Sequence, residues 1–200
     1  MRSPDDVRPL NLCDVEAFGR TVPVFAWAVT GDGATVLVDT GMIDSTPELD
    51  AKWKPTLHPW PDLGDVRAVI NTHLHFDHCG GNRRFAGIPT FVQRAELEAA
   101  VETDYLVDWI RFSGESYELV DGDAEILPGI SVLFTPGHSP GHQAVVVETG
   151  EGPVVLAGDV TYDRRELPSS DDPSIRRIRE LGPRRVYISH SSRPWEPGVD

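Results

Sequence analysis

The run Asn71 to Asn82, NTHLHFDHCGGN, places His73, His75, Asp77 and His78 within six positions. Imidazole and carboxylate together suit zinc or iron, and the tight H-x-H-x-D-H spacing reads as half of a metal site rather than as incidental surface histidines. Alternate side chains of a strand share a face, so a strand through His73, Leu74 and His75 would aim two imidazoles one way and turn Leu74 into packing. A helix opening at Phe76 to Gly80 would bring Asp77 and His78 round from its first turn, where negative charge is favoured. Three further candidates stand where apolar runs end: His138 in TPGHSPGHQ after ISVLF, Asp159 after PVVLAG, and His190 after RVYIS. A carboxylate leaving a buried strand is costly unless it is paired or bound to a cation, and that cost singles out Asp159. His142 is read as an anchor for its turn and Cys79 as a buried thiol filling space, while His58, with no ligand types beside it, is left out of the set. Five imidazoles and two carboxylates are too many for one ion. They suit two first-row metals with one bridging carboxylate and a shared water or hydroxide.

The surrounding chain must deliver these residues to one place. VPVFAWAVT, the turn Gly31, Asp32, Gly33, and ATVLVDTG read as a hairpin. It ends at Asp39, which either caps the following turn or orients a metal-bound histidine. Residues 42–64 carry Pro47, Pro55, Pro59 and Pro61 among Trp53, His58 and Trp60, and are expected to be irregular and to wall a pocket. Val66 to Ile70 reads as a buried strand leading to His73. Gln93 to Thr103 has helical composition, which is expected to continue through DYLVDWI. Short strands are expected at SYELV, AEIL, ISVLF, QAVVVE, PVVLAGDVTY and RVYISH, with SIRRIRELG a helix that turns Ile175, Ile178 and Leu181 to one face. Residues 1–20 are expected to form an edge strand or a flap. One domain over residues 1–200 is the expectation for this length and apolar content.

Thirty-two acidic against 18 basic residues leave a formal net charge of -14. That balance argues against broad phosphate-backbone contact and against anionic membrane surfaces. The expected partner is therefore a small-molecule substrate, not nucleic acid or a membrane, with a homodimer left open. No apolar run approaches transmembrane length and no basic segment precedes an apolar signal core, so a cytoplasmic location is expected. Cys13 and Cys79 cannot build a disulfide framework.

The ordered set LVDTG (Leu37 to Gly41), HLHFDHCGGN from His73, TPGHSPGHQ from Thr135, AGDVTY from Ala157 and ISH ending at His190 resembles the metallo-β-lactamase superfamily, over about Val22 to His190. The resemblance implies an α/β fold, the αββα sandwich, with two mixed β-sheets face to face and helices outside. It implies one metal on His73, His75 and His138, a second on Asp77, His78 and His190, and Asp159 bridging them. The implied cofactors are two divalent ions, Zn2+ first, with Fe, Mn or Co as other occupants. Within the superfamily, HLHFDHCGGN, VQRAELEAA and TPGHSPGHQ resemble the N-acyl homoserine lactone lactonases, which act in quorum quenching. Tyr162, three positions after Asp159, matches the tyrosine that assists at their lactone carbonyl. The implied activity is hydrolysis of such a lactone or a related ester, with Asp77 and Tyr162 catalytic and Phe76 and Tyr162 meeting the substrate. A glyoxalase II type thioesterase and an iron redox protein of the same fold are the alternatives. The chain is shorter than those lactonases and differs from them in its N-terminal segment and between Gly41 and Val66, so its substrate pocket is expected to depart from theirs.

Overall fold

The computed structural model describes residues 1–100 and 106–199. After a 3-10 turn at Pro4–Asp6, strand β1 (Val7–Ala17) pairs antiparallel with β2 (Arg20–Gly31), so the segment expected to form an edge strand or a flap supplies a long strand. β2 pairs antiparallel with β3 (Ala34–Val38), the hairpin foreseen from sequence. Asp32 and Gly33 form its two-residue turn with φ of 52° and 74°, a backbone whose twist matches that of the flanking strands.

The proline-rich segment 42–64 overturns the expectation of irregular chain, because it holds α1 (Pro47–Lys52) and β4 (Thr56–Leu57). Thr46 caps α1 by accepting from the Leu49 N–H at 3.3 Å. Pro47 occupies the first helical turn, where its missing N–H has no intrahelical partner to lose.

β5 (Val66–Ile70) leads to the short helix α2 (Phe76–Cys79), a 3-10 turn at Asn82–Phe85, and β6 (Thr90–Gln93), a four-residue strand that sequence reading did not separate from the following helix. That helix, α3 (Arg94–Ala100), begins one residue later than expected, and α4 (Val107–Ile110) takes up part of the expected continuation. Residues 101–105 of the helical expectation lie outside the described residues. β7 (Tyr117–Val120), β8 (Ala124–Leu127), β9 (Ile130–Phe134), β10 (Gln143–Val147) and β11 (Val154–Leu156) follow, then α5 (Pro173–Glu180) and β12 (Arg185–Tyr187). The strand expected over PVVLAGDVTY thus stops at Leu156, short of Asp159.

Seven strands order as β4-β1-β2-β3-β5-β6-β7 and five as β12-β11-β10-β9-β8. Both sheets are mixed: β3, β5, β6 and β7 run parallel in the first, and β11 and β12 in the second. Alternation along the strands sorts the core. In β10 every residue is buried, with Val145 and Val147 entering the layer between the sheets beside Trp27, Ile70 and Leu156, while Ala144 and Val146 meet Ile175 and Ile178 of α5. A strand covered on both faces reads as an uninterrupted apolar run, which is how QAVVV appears in the sequence. The outer face of the larger sheet, with Leu10, Leu12, Ala26 and Val69, is covered by Trp60, Phe85 and Ile88. Burying one large aliphatic side chain in these layers contributes about 1.5–3 kcal/mol. Two sheets with helices and loops on their outer faces are the expected αββα sandwich. Among the described residues no helix is long and apolar enough to cross a membrane.

Candidate metal centre

β5 stops at Ile70, so His73, Leu74 and His75 lie on a loop rather than on the expected strand extension. Leu74 does turn into packing and is fully buried. The two imidazoles converge because the loop is braced from β3. Asp39, just past the end of β3 with a left-handed φ of 57°, accepts the Thr72 N–H at 2.7 Å on Oδ1 and the Thr72 hydroxyl at 2.7 Å on Oδ2. The same Oδ2 meets His78 Nδ1 at 2.9 Å. Asp39 thereby braces the loop and orients His78 at once, leaving His78 Nε2 to face the cluster.

All seven candidate ligands meet. Ligand atoms of His73, His75 and His138 lie within 4.8 Å of one another, as do those of His73, His78 and Asp159, and those of Asp77, His78 and His190. His138 Nε2 is 3.2 Å from His73 Nε2 and 2.9 Å from His75 Nδ1. Two imidazole nitrogens bonded to one tetrahedral cation at roughly 2.0–2.1 Å stand about 3.3 Å apart, close to this spacing. His190 hydrogen-bonds the Pro23 carbonyl through Nδ1 at 3.0 Å and Asp159 Oδ2 through Nε2 at 3.0 Å. His78 Nε2 and Asp159 Oδ1 are buried, 3.4 Å apart, and neither has a hydrogen-bond partner. Buried polar atoms of this kind are costly unless something pairs with them, and a cation beside both fits the donor set.

The electrostatics divide the cluster. Burial drives His73 well below the ordinary histidine range, with His78, His75 and His138 adding to it, and burial lowers His75 and His138 as well. His78 is opposite: burial works to lower it, but Asp159, Asp77 and Asp39 together hold it up to about 10. His190 is raised against its burial by Asp159. Burial alone would raise Asp159, yet His190, His78 and His138 keep it well below the usual carboxylate range.

His142 is fully buried and has both ring nitrogens occupied. Nδ1 meets the Thr135 carbonyl at 3.0 Å, and Nε2 accepts the Asp159 N–H at 3.1 Å. Burial lowers its pKa to about 3, so the ring is neutral and serves as the anchor expected of it. Gly158 lets this happen, since a Cβ there would stand 2.6 Å from His142 Nε2 and 2.9 Å from Thr72 Cβ. The Cys79 thiol is buried against the Leu74 carbonyl at 3.3 Å, and His58 pairs with Asp14 at 3.0 Å, away from the cluster.

The ligands open onto a cavity of ≈ 390 Å³ whose lining includes His75, Asp77, His138, Asp159, His190 and Tyr162. Its apolar wall comes from Val15, Ala17, Phe18, Val22, Leu49, Trp53, Phe76 and Leu106. Phe76 packs on Trp53 with ring centroids 5.6 Å apart. Tyr162, 44% exposed, stacks on Phe18 at 5.3 Å and sets its hydroxyl 3.2 Å from His138 Nδ1. His138 thus turns Nε2 to the cluster and Nδ1 to the tyrosine oxygen; with Nε2 on a cation, the ring proton would sit on Nδ1 and the phenolic hydrogen would be free for the cavity. Burial, with Asp159 and Asp77 adding to it, pushes the Tyr162 pKa above the ordinary tyrosine value, so the hydroxyl stays protonated. Sequence reading weighed Asp39 but missed Thr72, Leu49 and the hairpin tip at Phe18. Thr72, beside the first histidine of the run, was the one with a local signal.

Comparison with known proteins agrees with this geometry. Residues 19–190 match the metallo-beta-lactamase superfamily. An N-acyl homoserine lactonase of Bacillus thuringiensis is 32% identical over 191 aligned residues, covering 80% of this chain and 76% of its own length. One from Bacillus cereus is 34% identical over 192, with the same coverage of both chains. A solved N-acyl homoserine lactone hydrolase, holding its product N-hexanoyl-L-homoserine at the catalytic metal centre, superposes with a TM-score of 0.74 at 27% identity, over 92% of this chain and 91% of that one. Common descent accounts for the paired sheets, the motif order and the matched span together: the chain belongs to the metallo-beta-lactamase superfamily.

Proposed function

We propose that the protein is a metal-dependent hydrolase that opens a lactone ring, of the N-acyl homoserine lactone type or a related ester. The observation that carries this reading is the cavity, where five of the seven clustered ligand-type residues, His75, Asp77, His138, Asp159 and His190, and a protonated phenol face one apolar-walled space, with His73 and His78 buried behind them. The lactonase relatives and the product-bound neighbour lend the substrate class. His73, His75 and His138 are assigned to one ion, Asp77, His78 and His190 to a second, and Asp159 between them. Zinc is the first choice, because an imidazole-rich set with an open position suits a hydrolytic zinc site.

When bound, the metal pair supplies hydroxide from water near neutral pH and polarises the carbonyl. Tyr162 donates its hydrogen bond to the oxyanion that develops as water oxygen bonds to the carbonyl carbon. Asp77 carries the water proton to the alkoxide released when the ring C–O bond breaks. Phe76, Trp53 and Leu49 shelter the acyl chain and exclude water from the reacting centre. Residues 1–200 are taken as one domain, supported by the apolar layer to which both sheets contribute. A cytoplasmic setting is supported by the free thiols of Cys13 and Cys79. The net charge of -14 supports a small-molecule partner over nucleic acid or membrane, and a homodimer stays open.

The test is a side-by-side assay of an N-acyl homoserine lactone and S-lactoylglutathione, with metal content measured on the same sample. Lactone turnover with about two ions per chain is expected. Thioester turnover in its place refutes the substrate class, and iron content without hydrolysis refutes the hydrolase. Asp159→Asn is expected to lose metal and activity together, whereas full lactone turnover by metal-free Asp159→Asn protein refutes the metal chemistry.

A further inference from the structure

A carboxylate outside the ligand set holds two of the ligand-bearing loops together. Glu96, in the first turn of α3, is fully buried. Its Oε1 accepts the Leu74 N–H at 2.9 Å. Its Oε2 accepts the Ser139 hydroxyl at 2.6 Å and the Gly141 N–H at 3.0 Å. Leu74 is the residue between His73 and His75, and Ser139 is the residue after His138. One side chain therefore grips both loops that carry the three-histidine group, each at a residue adjoining a ligand. The fit is close: a Cβ on Gly141 would stand 2.1 Å from the Glu96 nitrogen and 2.4 Å from its Cβ, so the His138 loop lies directly on the start of α3.

We propose that Glu96 is a positioning residue for the three-histidine group, setting the approach of His138 to His73 and His75. Gln143 also joins the two segments, through its backbone N–H to the Thr72 carbonyl at 2.9 Å and its side-chain amide to the Asn71 carbonyl at 2.8 Å. Glu96, however, holds the residue between His73 and His75 to the residue after His138, so it fixes the nitrogens relative to one another before an ion arrives. The second group is anchored elsewhere, His78 on Asp39 and His190 on the Pro23 carbonyl. Glu96 therefore acts on one ion's ligands more than on the other's. This role rests on His73, His75 and His138 being the ligands of one ion.

The test is titration of metal-free wild-type and Glu96→Gln protein with Co2+ against a chromophoric chelator, recording the d–d bands, under conditions where circular dichroism shows both folded. Glutamine keeps the size of the side chain but turns an N–H2 group on the Gly141 N–H or the Leu74 N–H. Residues that orient metal ligands typically change affinity about ten- to a hundred-fold, so the tighter Co2+ site is expected to weaken by that factor, with a shifted d–d band. Wild-type affinity and wild-type bands in folded Glu96→Gln protein overturn the proposal even where the variant melts earlier, because Glu96 then only stabilises the fold. Where Glu96→Gln does not fold, Ser139→Ala decides, since it removes one donor to the same oxygen. A smaller weakening in the same direction is expected from it, and an unchanged site overturns the proposal. A wild-type protein that binds no Co2+ overturns both this role and the ligand assignment, whereas a variant indistinguishable from a metal-binding wild type overturns this role alone.

Discussion

Tyr162→Phe isolates one atom of the proposed chemistry. The ring that packs on Phe18 and stands 5.6 Å from His190 is kept, and only the hydroxyl 3.2 Å from His138 Nδ1 is lost. A hydrogen bond to a charged group is worth about 1.5–3 kcal/mol. Tyr162 is 44% exposed, so water weakens its field and the lower part of that range, about 1.5–2 kcal/mol, applies. At 1.36 kcal/mol per factor of ten, kcat for the lactone should fall about ten- to thirty-fold. KM should change little, because the hydroxyl meets charge that develops only after binding. Steady-state kinetics on an N-acyl homoserine lactone, with metal content and melting temperature checked on the same sample, makes the measurement. Burial raises the pKa of this hydroxyl, so the wild type should keep its donor as pH passes the ordinary tyrosine value of about 10. A kcat within two-fold of wild type, or a loss confined to KM, refutes the role. An alkaline limb below that pH, present in wild type and absent from Tyr162→Phe, refutes the protonated donor.

Gly158→Ala should destabilise the fold by at least about 2 kcal/mol. A left-handed backbone costs an L-residue about 1–2 kcal/mol, and the new Cβ would also displace His142 from 2.6 Å; an unchanged urea midpoint refutes this. The buried thiols make stability fall in alkali. Burial raises the Cys13 pKa above 9.0 and does the same for Cys79, so below 9.0 both states keep the proton and the contribution is whole. As pH rises above 9.0 the unfolded thiol ionises while the folded one does not, and stability drops by up to about 1.4 kcal/mol per pH unit per thiol. Urea midpoints from pH 8 to 10.5 should decline less steeply in Cys13→Ala than in wild type, and equal slopes would falsify the buried, neutral thiol.

The sequence by itself determined which groups can do chemistry and in what order they come. Metal ligation depends on residue type and short spacing, and both are visible in HLHFDH, in His138 of TPGHSPGHQ, in Asp159 and in His190. The hairpin over Val22 to Val38 and the doubly buried β10 were legible for a similar reason, since turn chemistry and apolar runs are local signals. Short strands such as β6, and the helix α1 among prolines, were not, because four to six residues carry too little periodicity to outvote their neighbours. Tertiary structure alone decided how the ligands are held. Asp39 reaches Thr72 across 33 residues, Glu96 reaches Ser139 across 43, and His138 reaches His73 across 65. It also decided that both nitrogens of His142 are taken, whereas His78, His138 and His190 each bond one nitrogen away from the cluster and turn Nε2 to it. A hydrogen bond fixes direction between two particular atoms, and at such separations only the packing of the two sheets sets which atoms those are.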